Sequence, residues 1–128
     1  MRLLLDTHVA LWALTDSPRL ASPARELILD PENEVWFSAA TIWEIAIKHS
    51  LARKDMPISG LEASRLLVEA GYIELPVTAA HAAATEQLPP HHTDHFDRIL
   101  VAQAIVEPMR LLTHDRALLR YGTTMHLV

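Results

Sequence analysis

The sequence predicts an α/β protein, a three-layer α/β/α sandwich around a parallel sheet of four to five strands. Three observations point that way. Short apolar runs such as Leu3–Leu5 and Leu111–Leu112 alternate with stretches of helical length and pattern. These runs show no in–out alternation, as expected of strands covered on both faces. The chain has 128 residues, half of them apolar, and no internal repeat or long linker divides it. That suits one compact domain, residues 1–128, with its own core.

Taken in order, Arg2–Leu5 reads as a buried strand and Thr7–Leu14 as a helix. Turn residues follow in "DSPRLASPAREL", where Ser22 is a candidate N-cap and Pro23 the first helical position. That helix runs to about Asp30 and stops before Pro31. Val35–Ser38 is a second strand, and Ala39–Leu51 a third helix. Ser59–Gly71 is amphipathic, with Ala63, Leu66, Leu67 and Ala70 on one face and Glu62, Arg65 and Glu69 opposite. Ile73–Val77 reads as a third strand, which Pro76 marks as ending or lying at an edge. Thr78–Leu88 reads as a helix closed by Pro89 and Pro90, and Asp94–Glu107 as another stopped by Pro108. Met109–Thr113 is a fourth strand, Arg116–Tyr121 a short helix, and Thr124–Val128 a candidate fifth strand.

Composition narrows the function classes. No apolar run approaches the roughly 18 residues of a membrane span, and Asp6 interrupts the N-terminal apolar stretch, which argues against a secretory signal. The chain has no cysteine, hence no disulfide frame and no thiolate metal site, in keeping with a cytoplasmic protein. Eleven Lys and Arg against sixteen Asp and Glu give a net charge of −5. A nonspecific grip on nucleic acid normally needs a basic surface. A phosphate substrate must therefore be held by local cations, bound metal or both.

The acids carry the chemistry. Asp6 follows the first strand directly, Glu44 lies early in the helix after the second, and Asp115 follows the fourth by one residue. Asp97 sits one turn into the helix before that strand. In parallel sheets ligands bind beyond the strands' carboxyl ends, and three of these four acids lie on that side. Each alone reads equally well as structural. Asp6 and Asp115 have the position of N-caps, and Thr41 and Glu44 the spacing of a capping box. Asp94 reads as the cap of the next helix, with Asp97 favourable near its positive end. The set reads differently. Carboxylates brought together repel one another, and a hard divalent cation offsets that repulsion while keeping waters for chemistry. One or two such ions can activate water and cut a phosphodiester. No serine, cysteine or lysine nucleophile motif competes.

The segments "LLLDTH", "SAATIWEIAIK", "HTDHFDRILVAQA" and "LLTHD" resemble the motif blocks of the PIN-domain ribonucleases, in particular the VapC-type toxins of toxin–antitoxin pairs. The blocks occur in order from Leu3 to Asp115. The resemblance implies a metal-dependent endoribonuclease with Asp6, Glu44, Asp97 and Asp115 as its catalytic, metal-binding acids. Asp6 and Asp97 would be the principal ligands of Mg²⁺ or Mn²⁺. Glu44 would act directly or through water, and Asp115 would be the most dispensable. Thr7 would orient a metal-bound water. An RNA substrate, a cognate antitoxin and a second copy of the chain are the implied partners. Relatives often carry proline where His95 stands, which hardly touches the acids.

Rival readings fare less well. His91, His92 and His95 suit a zinc hydrolase by side-chain type, but no HExxH-type helical pair exists. His81 and His92 read instead as residues that order the segment carrying Asp97. An "HD" phosphohydrolase at His114–Asp115 needs an all-helical setting. A haloacid-dehalogenase-like phosphatase needs an aspartate where His8 stands, and a receiver-type domain an acidic pair at the first strand's end. A catalytically silent RNA-binding module is at odds with intact acids and a negative charge. Arg98 reads equally as facing a phosphate or as a surface ion pair. Lys48, Arg53 and Lys54 suit either the helix dipole or an RNA track. Finally, "VALWAL" and "ATIWEIAI" are apolar almost all round. Core packing is the default for Trp12, Trp43 and Ile47, although helices on the outside of a small sandwich leave some of this surface for a partner.

Overall fold

The computed structural model describes residues 1–128. Five strands, β1 (Arg2–Leu5), β2 (Glu34–Ser38), β3 (Ile73–Leu75), β4 (Arg110–Thr113) and β5 (Met125–Leu127), form one sheet in the order β3-β2-β1-β4-β5. Every pairing is parallel. Six α-helices surround it: α1 (Thr7–Thr15), α2 (Ser22–Leu29), α3 (Ala39–Ser50), α4 (Gly60–Glu69), α5 (Ala79–Ala84) and α6 (His95–Val106). The fifth strand expected from the sequence is present and pairs with β4.

Strand geometry explains the uninterrupted leucines. Neighbouring side chains of β1 point to opposite faces, and both faces are covered. Leu3 and Leu5 pack with Val9, Ala10, Ala24 and Leu67, from α1, α2 and α4. Leu4 packs on the other side with Leu100, Val101 and Ala104 of α6. All three leucines are fully buried. Burying one leucine is worth roughly 1.5–3 kcal/mol, so alternate residues of one strand hold both helical layers.

Two local expectations need correction. Ala21, not Ser22, precedes the first helical residue of α2, and no side chain caps that end; Pro23 falls within the first two helical positions. The segment expected as one helix from Thr78 to Leu88 breaks into α5 and a 3₁₀ turn at Thr85–Gln87. There the Thr85 hydroxyl donates to the Ala82 carbonyl at 2.6 Å. Such local side-chain bonding competes with a regular helix.

A close helix contact sets the position of α3. At Gly60, an added Cβ would lie 2.9 Å from Ala46 Cβ and 3.1 Å from the Ile42 carbonyl. Neither neighbour is a flexible side-chain end. Gly60→Ala is therefore expected to destabilise the fold by about 1–3 kcal/mol, as overpacking does. An unchanged denaturation midpoint would show that α3 and α4 shift apart freely.

Candidate active site

The sheet order places β1 between two neighbours reached in opposite directions, β2 on one side and β4 on the other. That is a topological switch point, and its crevice opens at the carboxyl ends of β1 and β4. Asp6 and Asp115 follow those two ends. The backbone closes the gap between them: Asp6 N–H donates to the Leu112 carbonyl at 3.0 Å, and His114 N–H donates to Asp6 Oδ2 at 3.2 Å.

Asp6 both caps a helix and lines the cleft. Its Oδ1 accepts from Val9 N–H at 2.8 Å, capping α1, while Oδ2 faces His114. The cap thereby fixes the direction of the second oxygen. Asp115 repeats the arrangement, with Oδ1 accepting from Ala117 N–H at 2.9 Å and Oδ2 lying 2.8 Å from His92 Nε2. Asp94 caps α6, accepting from Phe96 and Asp97 N–H, and so sets Asp97 at the start of that helix.

Glu44 is not part of a capping box. Ser38 caps α3 through Ala40 N–H at 3.0 Å, which leaves Thr41 and Glu44 inside the helix and buried. Instead Glu44 Oε1 accepts from the Thr7 hydroxyl at 2.6 Å, and Oε2 pairs with Lys48 Nζ at 2.6 Å. Thr7 thus orients Glu44. Lys48, which the sequence left between a helix-dipole role and an RNA track, neutralises that carboxylate one turn away.

Electrostatics record the crowding. Burial raises the Asp6 carboxyl above its usual range, although hydrogen bonds from Thr113, Val9 and His114 and the nearby His8 pull the other way. Asp97 is pushed up to about 7, by burial first and then by the charges of Asp94, Asp6 and Glu44; His92 alone offsets this. A carboxylate poised near neutral pH by burial and by neighbouring acids marks a place where positive charge is short.

His92 is the residue the sequence underrated. Its Nε2 lies 2.8 Å from Asp115 Oδ2 and 3.2 Å from Asp97 Oδ2. Donor atoms of the three residues all fall within 4.8 Å of one another. The hydrogen-bond partners assign its tautomer. Nδ1 accepts from Asp94 N–H at 3.1 Å, so the ring proton sits on Nε2 and is donated to the carboxylates. A ring in that state orients Asp115 rather than offering a lone pair to zinc. His91 stacks edge-on against Tyr121 at 5.1 Å, away from this cluster.

Two other expectations change place. Arg98 faces no open phosphate site; it donates to the carbonyls of Thr85, Leu88 and Pro89 and to the Tyr121 hydroxyl. It therefore anchors the loop leading to His92. His81 is buried and bonds Thr78 and Glu107, at the far end of α6 from Asp97.

Asp6, Asp97 and Asp115 open into one cleft of about 690 Å³, whose remaining walls are His8, Trp12, Arg19 and His114. A separate groove of about 680 Å³ lies between α3 and α6 and is mainly apolar, with Trp43, Ile47, Phe96 and Ile99 among its walls.

Comparison with known proteins agrees with this architecture. VapBC2 from Rickettsia felis, crystallised bound to a DNA fragment from its promoter, superposes with a TM-score of 0.71 at 16% identity, over 100% of this chain and 98% of that one. VapBC-1 from nontypeable Haemophilus influenzae gives 0.62 at 15% identity, covering 99% and 98%. FitAcB from Neisseria gonorrhoeae gives 0.58 at 23%, covering 90% and 88%. At such identities the likeness is one of fold. No sequence among curated proteins matches the chain. The sequence profile of the PIN domain matches residues 3–123, nearly the whole length, and the chain therefore belongs to the PIN domain family.

Proposed function

We propose that this protein is a Mg²⁺- or Mn²⁺-dependent endoribonuclease acting as the toxin of a toxin–antitoxin pair. The observation that carries the reading is that Asp6, Asp97 and Asp115 line one cleft at the sheet's switch point, with Asp97 pushed up to about 7 by burial and by the charges of Asp94, Asp6 and the buried Glu44 behind them. The donor set fits a hard divalent cation, since it is all oxygen and short of positive charge. When bound there, such an ion supplies Lewis acidity at the phosphate and a water that is nucleophilic near neutral pH.

The chain's own groups prepare that chemistry. Asp6, held by two main-chain N–H groups, and Asp97, held at the start of α6, are the assigned principal ligands. Thr7 and Lys48 orient Glu44 from its two oxygens. Through its Nε2–H, His92 steadies Asp115. All these groups are set by caps or by side chains on helices, so little reorganisation is needed when a substrate arrives.

Fold likeness to the VapBC complexes and the apolar groove support the partner assignments. Trp43 is 63% exposed there and meets Phe96 edge-to-face at 5.2 Å. We assign the exposed apolar surface to a second copy and to an antitoxin. No helix is long and apolar enough to cross a membrane, and a cytoplasmic location suits an RNA substrate.

Metal-stripped protein is expected to leave single-stranded RNA intact and to regain cleavage with Mg²⁺ or Mn²⁺, with fragment ends mapped on a gel. The same ions are expected to raise the melting temperature, because they bind the native state alone. Full cleavage in excess chelator would overturn the metal-dependent reading.

A further inference from the structure

The cleft at the acids is far larger than a hydrated cation requires, and the rest of its wall has a different chemistry. Next to Asp6, Asp97 and Asp115 the cleft is lined by Trp12, His8, His114 and Arg19. His8 and Trp12 are one turn apart on α1 and share a face, their rings 6.0 Å apart. His114 comes from beyond β4 and meets Trp12 edge-to-face at 4.9 Å and 78°. The same residue donates its main-chain N–H to Asp6. One residue thus ties the aromatic wall rigidly to the acid cluster. The His114 ring is itself held, because Nδ1 donates to the Val128 carbonyl at 3.2 Å.

We infer that this wall is a stacking subsite for an unpaired nucleobase next to the scissile phosphate, with Trp12 as its platform and Arg19 as the cation beside it. The inference rests on the nuclease reading and deepens it. Trp12 is only partly covered by the core it packs against, so it need not be a pure core residue. The chain carries a net −5 and lacks the charge for a strong nonspecific grip on a polyanion. Base–aromatic stacking supplies affinity without net charge and is tolerant of sequence. It also requires an exposed base face, which single strands and loops offer and duplexes do not. An apolar protein side chain would be better served by the mainly apolar groove at Trp43; the cleft pairs its one indole with charged and polar groups, which suits a nucleotide.

The test pairs a protein change with a substrate change. With wild-type protein, a single-stranded RNA lacking the base beside the cleaved linkage is expected to be cut about ten- to a hundredfold less efficiently, the value of one stacked base. Trp12→Ala is expected to lose as much on the intact RNA and little more on the abasic one, since the two changes remove the same contact. Trp12→Phe is expected to recover most of the loss. Equal, independent losses, or a Trp12→Ala protein that cuts as well as wild type, would overturn the subsite. A binding measurement separates this failure from failure of the nuclease reading. In a Trp36→Phe, Trp43→Phe protein, Trp12 is the sole indole, and RNA added with Ca²⁺ is expected to quench it. Quenching with Ca²⁺ and no cleavage with Mg²⁺ or Mn²⁺ supports the subsite and counts against the nuclease. No quenching by RNA, or quenching only by a co-purified protein partner, overturns the subsite.

Discussion

Asp6→Asn is expected to fold as well as the native protein and to lose at least about a hundredfold in cleavage. The two halves of this expectation come from the two oxygens of one side chain. Oδ1 caps α1 through Val9 N–H, and asparagine caps about as well as aspartate. Its amide would face His114 N–H in place of Oδ2 and lose that bond, a cost of about 1 kcal/mol. Against this, burial already disfavours the charge of Asp6, and the neutral amide removes both that penalty and the repulsion on Asp97. The net change in stability is therefore expected to lie near zero. Activity has no such compensation. A neutral amide is a poor ligand for a hard cation, and losing even part of the several kcal/mol that a metal gives a phosphoryl transition state costs two or more powers of ten. Asp6→Ala differs in one respect: it also forfeits the cap, about 0.5–2 kcal/mol. Calorimetric titration with Mn²⁺, a thermal melt and an oligonucleotide assay on both variants separate cap from ligand. Near-native cleavage by Asp6→Asn would return the residue to a purely structural role.

That pair of roles explains what was legible in the sequence. An apolar run ending on a carboxylate is visible in "LLLDTH", and so is its repetition before Asp115. From the sequence alone, cap and ligand look like rivals, because only coordinates reveal that each oxygen can serve one purpose. The strands were legible for a simple reason: both of their faces are buried, so residue type reports them directly. Short-range competition was harder to read, as at Thr85, where one hydroxyl ends α5, and at Ala21, which precedes α2 without capping it. Hardest were contacts between distant segments. Glu44 meets Thr7 across 37 positions and His92 meets Asp115 across 23; no periodicity encodes either pair. Trp12 was hidden by its own neighbourhood, since an apolar helix predicts a core residue and says nothing of the cleft at its edge.

The second large effect concerns pH, and it belongs to Asp97. In the metal-free protein its carboxyl is pushed up to about 7 from an unfolded value of 3.8. Between those values the folded state holds a proton that the unfolded state has lost. Stability therefore falls as pH rises across this window and levels off above about 7. Each unit of the gap is worth about 1.4 kcal/mol, discounted because the side chain keeps 23% exposure. Thermal melts of metal-stripped protein from pH 4 to pH 8 are expected to show the decline. Eight histidines titrate over part of the same range, so the comparison that isolates Asp97 is with Asp97→Asn. That variant carries no charge to desolvate or repel, and it is expected to be the more stable protein at pH 8 and to show a flatter profile. Divalent metal reverses the sign. Binding to the ionised carboxylate expels the proton, so affinity is expected to fall about tenfold per pH unit below 7, and Mg²⁺ is expected to stabilise most where the metal-free protein is weakest. Identical pH profiles for wild type and Asp97→Asn would mean that Asp97 is not crowded by its neighbours, and the case for a cation among these four acids would lose its electrostatic basis.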